Sequence, residues 1–198
     1  MIAQTQRTRR PAENTYPIDV RLFHSSGPIT FVWLLIRLWL GGQWVLAGLE
    51  KLRDPGWLNG QGLAGFWHGA LATQQGPHPG LAYAWYADFL RGMLANHAET
   101  WFAGLVAGGE VLVGVGLILG LFTGFSALVA GFMNFNYMLA GSASVNPVFF
   151  VLALVLLLAW RWAGFWGLDR FVLPALRHGI ARRPSVTFRT RSPQAREA

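Results

Sequence analysis

Two oppositely charged residues, Arg37 and Glu110, lie inside long apolar stretches of the chain. Arg37 lies about 12 Å from the N-terminal end of the first stretch, and Glu110 lies about 16 Å from the C-terminal end of the second. Burying one charge in hydrocarbon costs on the order of 3 kcal/mol or more, so each needs a partner or a purpose. Because an Arg side chain can cover the difference in depth, we predict a buried Arg37–Glu110 ion pair. The pair would fix helix register, or it would belong to a site for an anion, a polar headgroup or a proton relay.

Polar and small residues accompany this predicted pair. Asn134 and Asn136 differ by about 200° around a helix, so they cannot both face it, and we predict that Asn134 does. The first stretch carries a stripe at helical spacing, formed by Arg37, Gly41, Trp44, Gly48 and Lys51. Its glycines favour close packing against another helix, with close approach by a flat ligand as the alternative.

Metal and thiol chemistry find little support in the sequence. The chain contains no cysteine, which excludes disulfides, thiolate metal sites and dithiol redox chemistry by this chain. His68, His78 and His97 match no metal-ligand spacing, and no carboxylate cluster accompanies them. We predict no metal site and no haem held by two histidines. Proton exchange near the membrane surface remains open for His68 or His97.

The apolar stretches are the elements that must position these residues. Hydrophobic residues make up 53% of the 198 residues and charged residues 13%, with a mean hydropathy of +0.35. This composition is typical of a chain that is partly solvated by lipid. We therefore predict an all-α integral membrane protein, a four-transmembrane-helix bundle. The predicted spans are residues 29–52, 101–121, 122–141 and 147–162.

The long segment between the first two spans is predicted to be ordered. Apolar residues recur at helical spacing from Leu63 to Leu71 and from Tyr86 to Leu94, which predicts two short amphipathic helices on the outer membrane interface. The Gly- and Pro-rich residues 76–80 would form the turn between them. The chain then divides into a basic cytoplasmic tail (1–28), the membrane domain (29–175) and a disordered basic tail (176–198).

Basic residues are concentrated at the two ends of the chain. The net charge is +7, and most Arg residues lie before the first span or after the fourth, whereas the long segment carries Arg53 and Arg91. The positive-inside rule predicts both termini in the cytoplasm, in a multi-pass protein of the cell (inner) membrane. Because the charge flanks apolar spans, we expect the lipid bilayer, and no nucleic acid, as a partner.

Three motifs carry a resemblance to a known family. GLEKLRDP (Gly48 to Pro55) closes the first span, Gly109-Glu110 in the second span precedes the segment Gly114 to Gly124, and Asn134 lies in the third. In this order they resemble the DoxX/DoxD family of small four-span membrane proteins, over residues 28–175. The Trp-rich loop is more similar to DoxD.

The resemblance implies a membrane subunit of a thiosulfate:quinone oxidoreductase, which works with a partner called DoxA. Electrons would pass from thiosulfate, or a related sulfur compound, to a membrane quinone. Assembly within a larger membrane complex or as a homo-oligomer stays open.

The implied reaction assigns roles to residues of this chain. A thiosulfate dianion needs fixed positive charge, and the substrate-binding candidates are Lys51, Arg53 and their neighbour Glu50. A quinone needs a flat apolar slot with a hydrogen-bond donor and a proton route. The quinone-binding candidates are Trp39, Trp44, Arg37 and Glu110. The catalytic candidates are Arg37, Glu110 and Asn134.

The chain shows no redox centre of its own, so electrons would pass directly between thiosulfate and quinone or through a cofactor on a partner. The alternative function is a noncatalytic scaffold or assembly subunit of a larger respiratory or redox complex. A transporter is a weaker third option, because the spans show no inverted repeat and no broken helix.

Overall fold

A computed structural model describes residues 28–74, 81 and 83–181. Every regular element in these ranges is a helix, which confirms the all-α prediction. In chain order the helices are α1 (Pro28–Arg53), α2 (Pro55–Leu58), α3 (Gln61–Thr73), α4 (Ala84–Ala95), α5 (Glu99–Leu119), α6 (Thr123–Leu139), α7 (Asn146–Leu158), α8 (Trp160–Ala163) and α9 (Asp169–Ala181). The predictions for residues 1–27, for His78 and the turn at 76–80, and for residues 182–198 lie outside the described residues.

Two of these helices, α1 and α5, are long and apolar enough to cross a membrane. Over Ile29–Arg53 and Glu99–Leu119 the best windows have mean hydropathies of 1.5 and 2.1. α1 ends just before Asp54-Pro55, because a residue before proline is disfavoured in helical geometry. The Asp54 side chain instead accepts a hydrogen bond from the Gly56 amide, 2.8 Å away, and starts α2.

Helices α1 and α5 pack antiparallel at very short range. A Cβ added to Gly41 would lie 2.8 Å from the Gly114 carbonyl oxygen, and one added to Gly48 would lie 2.8 Å from the Ala107 carbonyl oxygen. The stripe of glycines therefore serves helix packing, as predicted, and leaves no gap for a ligand at these two positions. A Cβ added to Gly104 or Gly108 would meet nothing within 4 Å. These two glycines of α5 therefore do not pack against another helix of the described chain.

Helix α6 begins at a tight turn and packs on α7. Gly120, which ends α5, has φ 62°, the left-handed conformation that glycine adopts without strain. Gly131 of α6 faces α7, since a Cβ there would lie 3.7 Å from Ala153 Cβ. The two helices, with α1 and α5, form one hydrophobic core.

The segment between α1 and α5 folds around a second core of its own. Leu63 and Trp67 of α3 pack with Tyr86 and Leu90 of α4, and this cluster continues onto Ala103 of α5. Burial raises the pKa of Tyr86, so its hydroxyl remains protonated and donates a 3.2 Å hydrogen bond to the Asn136 carbonyl. The placement of these helices on a membrane interface stays a prediction.

The end of the described chain is tied to the α5–α6 turn. Asp169, at the start of α9, accepts hydrogen bonds from the Phe122 and Thr123 amides at 2.6 and 2.8 Å. Its own amide donates to the Gly120 carbonyl at 2.9 Å. α9 then continues to Ala181, so the disorder predicted from residue 176 is wrong for residues 176–181.

Candidate functional site

Arg37 does not pair with Glu110, so the predicted ion pair is wrong. The Arg37 guanidinium is buried at the α9 end of the bundle, the end that holds the α5–α6 turn. It donates to the carbonyl oxygens of Ala163 at 2.9 Å and Trp166 at 3.1 Å. Gly120, at the end of α5, packs against this guanidinium. Glu110 lies ten residues before Gly120, about 15 Å away along the axis of α5.

Glu110 is paired with Lys51 instead. The Lys51 ammonium donates to both Glu110 carboxylate oxygens, at 2.9 and 2.8 Å. The Tyr137 hydroxyl donates to Glu110 Oε1 at 2.6 Å. The Glu110 side chain is 1% exposed and that of Lys51 is 21% exposed. The three side chains, from α1, α5 and α6, are called the Lys51–Glu110–Tyr137 cluster below.

The direction of helical side chains explains this exchange of partners. Cα–Cβ bonds tilt toward the N-terminus of a helix. On α1 this tilt carries Arg37 toward the α9 end and carries Lys51 back toward the middle of the bundle. On the antiparallel α5 it carries Glu110 the other way, toward Lys51.

The cluster lies in the wall of a cavity of about 300 Å³. Its lining is mostly apolar, and it is called the polar cavity below because the polar groups of Lys51, Glu110 and Tyr137 line it. The cavity is at the opposite end of the bundle from Arg37, where α1 and α5 meet the end of α6, the start of α7 and the helices α2 and α3. Its lining residues are Gln43, Trp44, Ala47, Lys51, Trp57, Phe66, Glu110, Tyr137, Ser142, Val145, Asn146 and Phe149.

Two tryptophans complete the polar cavity. Trp57 of α2 places its ring 5.2 Å from Lys51 Nζ and donates from its Nε1 to the Ala103 carbonyl at 3.0 Å. Trp44 is 3% exposed, and its Nε1 has no hydrogen-bond partner within the described chain. A buried donor of this kind, beside a cavity, is available to a ligand oxygen.

A second, aromatic cavity of about 360 Å³ adjoins the first. Phe66 and Tyr137 line both cavities, and their rings meet edge to face at 6.1 Å. The remaining lining residues of the aromatic cavity are Leu63, Trp67, Tyr86, Phe89, Leu90, Phe102, Leu105, Val106, Phe132, Met133 and Asn136. Tyr137 thus has its ring at the boundary of an apolar space and its hydroxyl on a buried carboxylate.

The structure separates the other predicted site residues from this cluster. Trp39 is on the exposed face of α1, in edge contact with Phe149 at 5.5 Å. Glu50 and Arg53 are exposed and do not line the polar cavity. Asn134 is fully buried, but neither of its amide atoms has a hydrogen-bond partner in the described chain, so it does not bond to Arg37 or Glu110.

Tyr137 was not identified from the sequence, although a signal was present. It follows Asn134 by three residues, which places the two on neighbouring positions of one helical face. A phenol next to a predicted buried carboxylate would have been a candidate donor. Lys51 was identified, but as an anion-binding residue rather than the partner of Glu110.

Among the residues that the structure describes, no group of three His, Cys, Asp or Glu side chains could hold a metal ion. His68 and His97 are both exposed. The His97 ring lies 3.6 Å from the Glu99 carboxylate.

The fold and the cluster define a helical membrane protein with a buried, hydrogen-bonded ion pair inside its bundle. The DoxX family model matches residues 32–143, and the chain belongs to the DoxX family. The matched range includes Lys51, Glu110 and Tyr137 and ends before α7. Searches of the curated proteins and of the solved structures gave no match.

Proposed function

We propose that the chain is the membrane subunit of a quinone-linked oxidoreductase, DoxD-like, which passes electrons from thiosulfate or a related sulfur compound to membrane quinone. One observation carries the proposal. The Lys51–Glu110–Tyr137 cluster lines the polar cavity, and its Tyr137 side chain also lines the aromatic cavity. A quinone needs both environments, because its ring and tail are apolar and its reduction takes up protons.

The proposal includes a four-span topology in the cell (inner) membrane, with both termini cytoplasmic. α1, α5, α6 and the pair α7–α8 would be the spans. α6 has 17 residues and α7 has 13, so α7 reaches the opposite face only together with α8. The polar cavity would then open toward the outer face.

The aromatic cavity offers a route from the lipid to the cluster. Three residues of its wall, Phe89, Leu105 and Phe132, are 47%, 58% and 65% exposed. In a bilayer their outer surfaces would face acyl chains, so an isoprenoid quinone could enter sideways without crossing water. Its ring would meet Phe66 and Tyr137 at the boundary between the cavities.

The residues that fit a quinone differ from those predicted. Trp44 keeps its predicted role, because its buried Nε1 is a free donor for a quinone oxygen. Glu110 and Tyr137 would hold and transfer protons across the boundary, and Lys51 would stabilise the carboxylate. Trp39 and Arg37 line neither cavity and are left out of the quinone site.

The reaction balances with a sulfur donor at the outer end of α1. Two thiosulfate ions that form one S–S bond release two electrons, and quinone takes these with two protons to become quinol. Arg53 is exposed and forms no ion pair with a described residue, so its charge is available to a dianion. A DoxA-like partner would complete this donor site, since Lys51 is already neutralised by Glu110.

The test is thiosulfate-dependent quinone reduction by the purified membrane protein, with extraction and mass spectrometry of bound quinone on the same sample. We expect Glu110→Gln and Tyr137→Phe each to lower the rate about a hundredfold, because both remove a proton-transfer group. Tyr137→Phe keeps the ring, so bound quinone should remain. Trp44→Phe should instead reduce bound quinone.

Glu99→Gln is the matched control, since it makes the same change on the same helix outside both cavities. Unchanged rates in both cluster variants, in protein that still inserts, would contradict the proposed role of the cluster. A preparation that binds no quinone but retains a stoichiometric partner would support the alternative, a noncatalytic assembly subunit.

A further inference from the structure

A third region of the molecule, at the α9 end, has features of a ligand site and takes no part in the proposed redox chemistry. A cavity of about 340 Å³ is lined by Arg161 and Arg170, and an apolar cavity of about 350 Å³ lies beside it. The two share Trp160, Asp169 and Leu173. Together they form one groove with a cationic half and an apolar half.

Each arginine of the cationic half contacts an aromatic ring. The Arg161 guanidinium lies 5.3 Å from the Trp160 ring, and that of Arg170 lies 5.6 Å from the Phe165 ring. Such contacts position a guanidinium and leave its N–H groups free for an anion. Neither arginine forms an ion pair with a carboxylate of the described residues.

Asp169 is the negative charge nearest to this half of the groove. It is 5% exposed, and its two oxygens accept the Phe122 and Thr123 amides. Asp169 is therefore held by the α5–α6 turn and forms no ion pair with either arginine. It keeps its negative charge and lines both halves, so with the two exposed guanidinium groups the lining has a formal charge of +1.

The apolar half of the groove indicates that the ligand also has an apolar part. Phe125 and Leu128 of α6 and Leu157 of α7 line it, and the first two are exposed on the outside of the bundle. A free phosphate ion would fill only the cationic half. A phosphate attached to acyl chains would fill both.

We propose that this groove binds an anionic phospholipid from the leaflet at the α9 end. The phosphate lies between Arg161 and Arg170, and an acyl chain lies along Phe125 and Leu128. Bidentate hydrogen bonds from guanidinium groups suit phosphate oxygens, and basic pockets between membrane helices recognise anionic headgroups in this way. The inference does not depend on quinone binding or on sulfur oxidation.

Native mass spectrometry of the full chain, released from detergent with added dioleoyl phosphatidylglycerol or dioleoyl phosphatidylcholine, tests the proposal. We expect the wild type to retain phosphatidylglycerol preferentially. The double variant Arg161→Gln/Arg170→Gln should bind it roughly thirtyfold more weakly, and each single variant about fivefold. Arg91→Gln, which removes one exposed arginine at the other end of the bundle, is the control and should bind like the wild type.

Two further arms distinguish the source of the phosphate and guard against misfolding. Inorganic phosphate and short-chain phosphatidylglycerol should both compete poorly, because neither fills the apolar half. Effective displacement by inorganic phosphate would overturn the lipid assignment. Equal retention of the two dioleoyl lipids by the wild type would overturn the proposal even if the double variant failed to fold.

Discussion

Glu110 and Lys51 differ in whether the side chain can reach water when its partner is removed. The Glu110 side chain is 1% exposed in the middle of α5, whereas the Lys51 side chain is 21% exposed near the end of α1. A lysine that loses its partner can turn toward water, but a buried glutamate cannot. We therefore expect Lys51→Met to destabilise the protein by on the order of 3 kcal/mol and Glu110→Gln by clearly less. Unfolding in detergent, followed by circular dichroism, measures both.

The double variant Lys51→Met/Glu110→Gln provides the decisive comparison. It removes both charges and should recover most of the stability that Lys51→Met loses, since no uncompensated charge remains buried. Arg91→Met breaks the exposed pair with Asp88 and should change stability by less than about 1 kcal/mol. Equal effects of Lys51→Met and Arg91→Met would mean that the buried pair does not stabilise the bundle.

For single residues, the sequence predicted which charged side chains are buried but not which groups they bind. Arg37 and Glu110 stand out because charges inside apolar stretches are rare, and both are buried. Their partners depend on the axial offset between helices and on side-chain direction. Residue spacing along one helix contains neither, so the backbone carbonyls that Arg37 binds could not be inferred. Tyr137 could be named as a candidate from its spacing to Asn134, but not assigned to Glu110.

The α1–α5 contact is the element whose geometry positions the cluster. A Cβ on Gly48 would lie 2.8 Å from the Ala107 carbonyl and 2.7 Å from a Val111 methyl group, so one helix would have to shift. We expect Gly48→Ala to destabilise the fold by about 1–3 kcal/mol and to weaken the proposed quinone reduction, because the shift moves Lys51 relative to Glu110. Thermal unfolding and the activity assay measure the two effects.

Gly42→Ala is the control for this prediction. Gly42 is on the same helix, and a Cβ there would meet nothing within 4 Å. The substitution should leave stability unchanged or raise it slightly, since alanine favours the helix. A loss of stability in Gly42→Ala as large as that in Gly48→Ala would contradict the prediction, because alanine at position 42 improves helix propensity and creates no close contact.

The helices themselves could be predicted well because their signals are local. Long apolar runs predicted α1 and α5, and the run from residue 147 predicted α7, which begins at Asn146. α9 was partly missed because its polar composition resembles that of a tail. Its first residues are fixed by Asp169, whose contacts with Phe122 and Thr123 are distant in sequence.

Across the whole molecule, the two ends of the bundle have different charge chemistry. The α9 end holds Arg37 on backbone carbonyls and presents Arg161 and Arg170 without carboxylate partners among the described residues. At the other end, Lys51 pairs with Glu110 and Arg91 with Asp88, whereas Arg53 forms no ion pair with a described residue. The larger unpaired basic charge at the α9 end favours the proposed orientation, with that end in the cytoplasm.

Cysteine labelling tests this orientation directly, because the chain has no cysteine and each introduced thiol is the only one present. Gln61, the first residue of α3, is exposed. We expect Gln61→Cys to react with a membrane-impermeant maleimide in intact cells, and Ser192→Cys, in the C-terminal tail, to react only after permeabilisation. Leu117→Cys, at a fully buried position, should react only after denaturation. Labelling of Gln61→Cys and Ser192→Cys from the same side would require an even number of spans between them, which contradicts the three that the four-span topology places there.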